Sequence, residues 1–340
     1  MRKYRKQEHI ENYLRTTFVG DPLFDDVFLY HNALPELDFT EINTSTNFVN
    51  QQVNFPLMIN AMTGGSTFTQ EINRDLARVA NEFNIPMAVG SQTILMEDQD
   101  AIESFEIVRN IITDGIVIGN LSGQATVEEA KKAVKFIQAD ALQIHLNPAH
   151  ELAMEEGERD FRNILLNISN IVQQVDVPII VKEVGFGLSR DVVEQLYQVG
   201  VRNVDVSGFG GTNFFEVENL RTPDNDLSEL YGWGIPTALS IIEAKSLQRD
   251  NLNIIASGGV KNSMDIAKSI VLGASMVGIS GEILSYLIHG GYEYTLKYVA
   301  NLIYKTKMIM LLLGAKNIQD LQNKDYKLTG KLKELVRSVE

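Results

Sequence analysis

NIIASGGVKNSMDIAKSIVLGASMVGISG, residues 253–281, contains two short apolar runs, each closed by a glycine turn, Ser257-Gly258-Gly259 and Ser280-Gly281. Residues 263–272 between them carry a helical pattern long enough for one amphipathic helix. Strand, helix and strand in succession form the unit of a parallel sheet. Outward from this unit, comparable runs rich in Val and Ile occur at 57–61, 85–89, 116–118, 141–146, 178–184 and 201–206. Helical patterns fall between strands at positions such as 68–83, 126–137, 161–175, 190–199 and 236–247. Eight strands in strict alternation with helices predict an α/β fold, a (β/α)8 TIM barrel, with an open doubly wound sheet as the alternative.

The 340 residues, 44% of them hydrophobic, suit a single domain: an N-terminal arm and extension over 1–50, the barrel over 51–290 and C-terminal helices over 291–340. A net charge of −14 repels nucleic acid and anionic lipid, so an anionic ligand must be captured by local donors. The longest apolar run, 308–313 and on to 315, is far short of the ~20 residues that span a bilayer and reads as a buried helix. Arg2, Lys3, Arg5 and Lys6 open the chain with no apolar region behind them, and Glu8 and Glu11 follow, so a cytoplasmic protein is expected. The lack of cysteine excludes disulfides, thiolate metal sites and cysteine nucleophiles, and a redox role would need a borrowed cofactor. The interval from 206 to 253 exceeds one helix by about two dozen residues and predicts a long loop after the sixth strand, acting as a lid. On physics alone, residues 1–17 read as a solvated helix.

In barrel enzymes function collects where strands end. Those positions are polar nearly every time: Thr63-Gly64-Gly65, Gly90-Ser91-Gln92, Asn120, His145 with Asn147, Lys182-Glu183, Ser207-Gly208, Ser257-Gly258-Gly259 and Ser280-Gly281. The last two follow the seventh and eighth strands, where barrels build phosphate sites from backbone N–H groups. Lys182 interrupts an apolar strand, where an ammonium is costly unless paired or aimed at an anionic ligand; Glu183, beside it, normally points to the opposite face. His145, Asn147, His150 and Glu151 form the densest polar cluster, and a carboxylate there suits either Mg2+ or a helix start. No Ser-His-Asp or His-Glu-x-x-His pattern supports a hydrolase.

These motifs resemble, in order and along essentially the whole chain, the type 2 isopentenyl-diphosphate delta-isomerases, which are FMN-dependent barrels. Arg5-Lys6 with Glu8-His9 is similar to the family's substrate arm, which replaces the reading of residues 1–17 as a merely solvated helix. Met62-Thr63-Gly64-Gly65 and Gly90-Ser91-Gln92 resemble its flavin and substrate loops, and Asn120 a flavin-contacting position. The stretch from His145 to Glu151, with Gly157-Glu158-Arg159-Asp160-Phe161, resembles the family signature, and Val181-Lys182-Glu183, Ser207 to Thr212 and Trp233-Gly234-Ile235-Pro236 continue the match. His150 stands where the family usually carries Gln. An imidazole can donate and accept protons near neutral pH, so the substitution alters the expected pH profile and rate.

The resemblance implies interconversion of isopentenyl and dimethylallyl diphosphate by a 1,3-proton shift in isoprenoid biosynthesis, using reduced FMN, Mg2+ and NADPH as reductant. It implies FMN contacts at Met62, Thr63, Gly64, Ser91, Asn120, Lys182, Ser207, Thr212, Gly258, Gly259, Ser280 and Gly281. Substrate would be held by Arg5, Lys6, His9, Ser91, Gln92, His145, Asn147 and His150, with Glu151 on Mg2+ and His150 and Lys182 as catalytic groups. A homo-oligomer, tetramer or octamer, is implied as well. The alternatives are an FMN-dependent 2-hydroxy-acid oxidase-like enzyme and a non-catalytic flavin- or phosphate-binding barrel. The oxidases use His and Arg after the sixth strand, where this chain has Phe209 and Thr212.

Overall fold

The eight apolar runs form eight parallel strands that close on themselves: β1 Leu57–Ile59, β2 Met87–Ala88, β3 Val117–Ser122, β4 Ala141–His145, β5 Ile179–Lys182, β6 Asn203–Asp205, β7 Asn253–Ser257 and β8 Met276–Ile279. The computed structural model describes residues 2–96, 98 and 101–336, and of residues 2–7 the backbone alone. Closure is made by β8 on β1, with Val277 opposite Leu57, so the open-sheet alternative is excluded. The third run extends further than its apolar residues, because Asn120 and Ser122 face polar partners and remain in the ladder with β4.

Side chains alternate across a strand. Met58, Ile118, Ile180, Ile255 and Met276 therefore meet inside the barrel, where Phe48 and Val53 from the hairpin Thr46–Phe48/Gln51–Val53 join them. Two residues further along, at the same parity, this inner stack turns polar: Asn60, Gln143, Lys182, Asp205 and Ser257 are all buried. The remaining strand side chains pack outward against the helices as the main core.

The helices are α1 Arg2–Tyr13, α2 Thr67–Phe83, α3 Glu103–Ile111, α4 Val127–Ile137, α5 Pro148–Ala153, α6 Ile164–Gln174, α7 Arg190–Gln198, α8 Phe214–Arg221, α9 Thr237–Ser246, α10 Ser263–Val271, α11 Gly281–Leu312, α12 Ile318–Gln322 and α13 Gly330–Leu335. Local capping fixes several starts: Ser66 with Thr69 and Thr126 with Glu129 form reciprocal capping boxes on α2 and α4. The terminal extensions join each other, Val27–Leu29 pairing antiparallel with Tyr326–Leu328.

Three expectations change. The stretch after the sixth strand is mostly loop, as expected, but not wholly so, for Phe214–Arg221 within it fold as α8, capped by Asn213, whose side chain accepts from the Phe215 and Glu216 amides. The run at 308–315 is half-buried: Met310 is inside, while Met308 and Leu312 are 42% and 43% exposed because helical geometry turns them outward. The boundary set at 290 falls inside α11, which changes direction at Gly291, where φ is 73°.

Candidate functional site

The carboxyl ends of the strands open into a cavity of about 600 Å3. It is lined by His9, Met62, Thr63, Ser91, Asn120, His145, Asn147, His150, Glu151, Lys182, Ser207, Thr212, Gly258, Gly259, Ser280 and Gly281, which brings most of the anticipated residues to one place. The side chains of Arg5 and Lys6 lie outside the described residues.

Lys182 and Asp205 stand opposite each other at the inner ends of β5 and β6. Lys182 Nζ donates to the Glu183 carbonyl at 2.5 Å. Burial pushes its pKa down, against the opposing charges of Asp205 and Glu183. Asp205, with no exposed surface, accepts from Asn60 Nδ2 at 2.6 Å, Ser257 Oγ at 2.6 Å and the Ser207 amide at 3.2 Å. Gln143 Nε2 donates to Asn60 Oδ1 at 2.8 Å and extends this network across the barrel. Glu183 does point away from Lys182: its Oε2 accepts the amides of Val184, Gly185 and Phe186. Burial pushes its carboxyl up to about 7 against those three donors.

Two strands round the barrel from the lysine, in the turn after β7, Gly258 and Gly259 adopt φ of 98° and 75°. A Cβ on Gly258 would stand 2.0 Å from the Gly208 carbonyl, so the loops after β6 and β7 approach as only glycine permits. Beside them Ser280 and Gly281 begin α11, whose amino end borders the cavity. Thr63 Oγ1 is buried there without a hydrogen-bond partner among the described residues.

The third wall is carried by α1, α5 and α8. Glu216 accepts the amides of Thr17 and Phe18 at 2.7 and 3.1 Å and draws the amino-terminal arm onto the barrel. His150 Nε2 lies 2.9 Å from Glu218 Oε1, with its ring stacked on Phe214 at 4.1 Å. His9 Nε2 stands 2.9 Å from the same oxygen. Arg221 Nη1 donates to Glu218 Oε2 at 3.0 Å. Burial opposes ionisation of Glu218, yet the two imidazoles outweigh it and hold this carboxyl far below the usual range. Burial lowers the His150 pKa, against the hydrogen bond that the imidazole makes to Glu218. Below the ordinary value of 6.5 an unfolded chain therefore takes up a proton that the folded His150 resists, and stability falls on acidification. His150→Gln removes this contribution, and denaturant titrations from pH 7 downward will show a flatter loss below pH 6.5 than the parent, whereas parallel curves would refute it.

Glu151, at the start of α5, is held at both oxygens: Asn147 Nδ2 donates to Oε1 at 2.8 Å and the Glu158 amide to Oε2 at 2.9 Å. Arg159 ties the same turn down through the Glu151 and Met154 carbonyls, each at 2.6 Å. Gly157 is required here, since a Cβ would meet the Glu151 carbonyl at 2.0 Å. The Gly157-Glu158-Arg159 stretch thus aims Glu151.

Two anticipated residues serve differently. Gln92 is fully buried; its Nε2 donates to the Ala133 carbonyl and its Oε1 accepts the Asn120 amide, so it buttresses Asn120 rather than reaching substrate. Gly64 packs against the Phe105 ring, which a Cβ would strike at 2.2 Å, and it does not line the cavity. Sequence reasoning missed Asp205, Asn60, Gln143, Glu216, Glu218 and Arg221. The strand residues carried a signal, being polar two positions after an inward apolar residue; the α8 acids carried none, because that segment read as loop.

Residues 118–328 match the family model described as FMN-dependent dehydrogenase. The isopentenyl-diphosphate delta-isomerase of Geobacillus sp. (strain WCH70) is 46% identical over 322 residues, spanning 94% of this chain and 92% of that protein. The enzyme of the same name from Bacillus licheniformis is 45% identical over 330 residues, 97% of this chain and 94% of its own length. Among solved structures, a mandelate oxidase mutant bearing benzaldehyde superposes with a TM-score of 0.69 at 14% identity, covering 94% of each chain; that likeness concerns the fold.

Proposed function

Because the chain is an isomerase that belongs to the FMN-dependent dehydrogenase family and to the isopentenyl-diphosphate delta-isomerases, we propose that it interconverts isopentenyl and dimethylallyl diphosphate by a 1,3-proton shift, using reduced FMN and Mg2+. The observation that carries the reading is a buried ammonium, Lys182, beside Asp205 on the next strand, in a cavity that the glycine turn after β7 also lines. The residues fit a flavin nucleotide. The orphaned Thr63 hydroxyl, the backbone at Gly258 and Gly259 and the amino end of α11 offer hydrogen bonds suited to its polar edge and phosphate. Ser91, Asn120, Ser207 and Thr212 line the space between.

Reduced FMN, when bound, supplies an electron-rich ring that favours positive charge on a nearby alkene without net oxidation. Lys182 holds its ammonium at the cavity floor, where an anionic ring or oxygen meets a fixed positive charge in a water-poor setting. His9, His145, Asn147 and His150, with Arg5 and Lys6 from the arm, bind and orient the diphosphate and the five-carbon unit. His150 Nε2 and Glu218 Oε1 share a position at which a proton is held and passed, and Phe214 shields that pair from water. Glu151, with both oxygens oriented, would hold Mg2+ against the diphosphate; a carboxylate with water is the oxygen-rich environment that ion selects. NADPH is the reductant in this reading. A tetramer or octamer belongs to it too, supported by Tyr304, Met308 and Leu312, exposed at successive turns of α11. Among the described residues no helix is long and apolar enough to cross a membrane.

The test is an anaerobic incubation with FMN, NADPH, Mg2+ and isopentenyl diphosphate in D2O, followed by NMR. Deuterated dimethylallyl product that disappears without reductant, or in Glu151→Ala, is expected. Bound FMN with neither product nor exchange would sink the reading. Gly258→Ala is expected to weaken FMN retention about tenfold, because its Cβ must push the Gly208 carbonyl away at a cost of ~1–3 kcal/mol. Flavin released on gel filtration measures this, and unchanged retention would count against the cradle.

A further inference from the structure

We propose that His9, His150 and Glu218 form a binding site for a borderline first-row divalent cation such as Zn2+, separate from the Mg2+ position at Glu151. One ligand atom from each residue lies within 4.8 Å of the others, on α1, α5 and α8. Both imidazole nitrogens stand 2.9 Å from the same Glu218 oxygen. A carboxylate oxygen can accept from both rings, but only His150 meets hydrogen-bond geometry; His9 Nε2 is buried with no hydrogen-bond partner among the described residues. Its approach without a bond resembles ligand spacing: two groups each about 2.0–2.1 Å from one ion stand about 2.9–3.4 Å apart at angles from square to tetrahedral.

The donor set selects the ion. Two neutral imidazoles and one carboxylate form a combination that binds Zn2+ and leaves a coordination position open, whereas Mg2+ prefers oxygen ligands throughout. The His150 ring is fixed by stacking on Phe214. Arg221, bound to the other Glu218 oxygen, fixes the carboxylate and leaves Oε1 toward the histidines. Because His9 and His150 both line the cavity, a bound ion presents its open position to it and competes for the nitrogens assigned above to substrate. The site rests on the three ligand atoms and not on which diphosphate is turned over.

Equilibrium dialysis of the whole protein as purified against Zn2+ in excess Mg2+, with metal analysis, tests it without any turnover. One zinc per chain is expected, with affinity about 100-fold weaker in His150→Gln and Glu218→Gln and unchanged in His289→Asn, a surface histidine on α11. Should Glu218→Gln fail to fold, judged by thermal unfolding, His9→Asn takes its place with the same expected loss. No stoichiometric zinc in the parent, or undiminished zinc in the folded variants, overturns the site. An inactive isomerase that still binds zinc would leave it standing.

Discussion

Lys182→Met lowers isomerase turnover by about 10²–10³, the usual consequence of removing one preorganised charge from a water-poor site. Methionine nearly matches the lysine stem in volume, so the change isolates the ammonium. Lys182 is 6% exposed, and burial depresses its pKa against the pull of Asp205 and Glu183. Asp205, Glu183 and the Glu183 carbonyl oppose that cost within the chain, and in the proposed reading an anionic flavin adds to them. Initial rates by NMR, with flavin content measured alongside, decide the matter. Parent-like turnover in a flavin-loaded variant would show that the charge is structural only.

Asp205→Ala destabilises the fold by ~3–5 kcal/mol, because it leaves three donors without their acceptor and weakens the negative charge near buried Lys182. Its partners are Asn60 Nδ2, Ser257 Oγ and the Ser207 amide, from the loop after β1, the end of β7 and the loop after β6. Asp205 and Asn60 are 0% and 1% exposed, so the Asn60 donor in particular is far from solvent. Asp205→Asn keeps the shape and an acceptor oxygen and is expected to lose less. Urea unfolding with equal slopes measures both, and an alanine variant as stable as the parent would dismiss the network as a structural hub.

The zinc site and the Lys182 charge separate two halves of the cavity. One half was legible beforehand: the turns at Gly258 and Ser280, the lysine within an apolar strand, and the acid at Glu151 announce themselves by residue type at strand ends. The other half was not, because Glu218 and Arg221 lie in a segment whose apolar pattern is too weak to declare α8, and Glu216 reveals its purpose only when the amides of Thr17 and Phe18 meet it from 199 and 198 residues away. Gln92 misleads for a related reason. Its neighbours in sequence suggest a ligand loop, while its partners in space, Ala133 and Asn120, belong to other βα units.

By itself the sequence determined eight strands in alternation with helices, through the apolar runs and the helical spacing between them, since periodic burial is a local property of the chain, while closure into a barrel was settled by the pairing of β8 with β1. It also marked which strand ends carry polar residues and glycines, because such residues there are costly or conformationally special wherever they occur. Tertiary structure alone decided which of them act together. Lys182 gains its charge setting from Asp205 on the next strand, and His9, His150 and Glu218 come from three helices whose order in the chain does not fix their distance. Electrostatics and hydrogen bonding depend on separations of a few ångströms, and only the closed barrel, with its arm drawn down by Glu216, sets those separations.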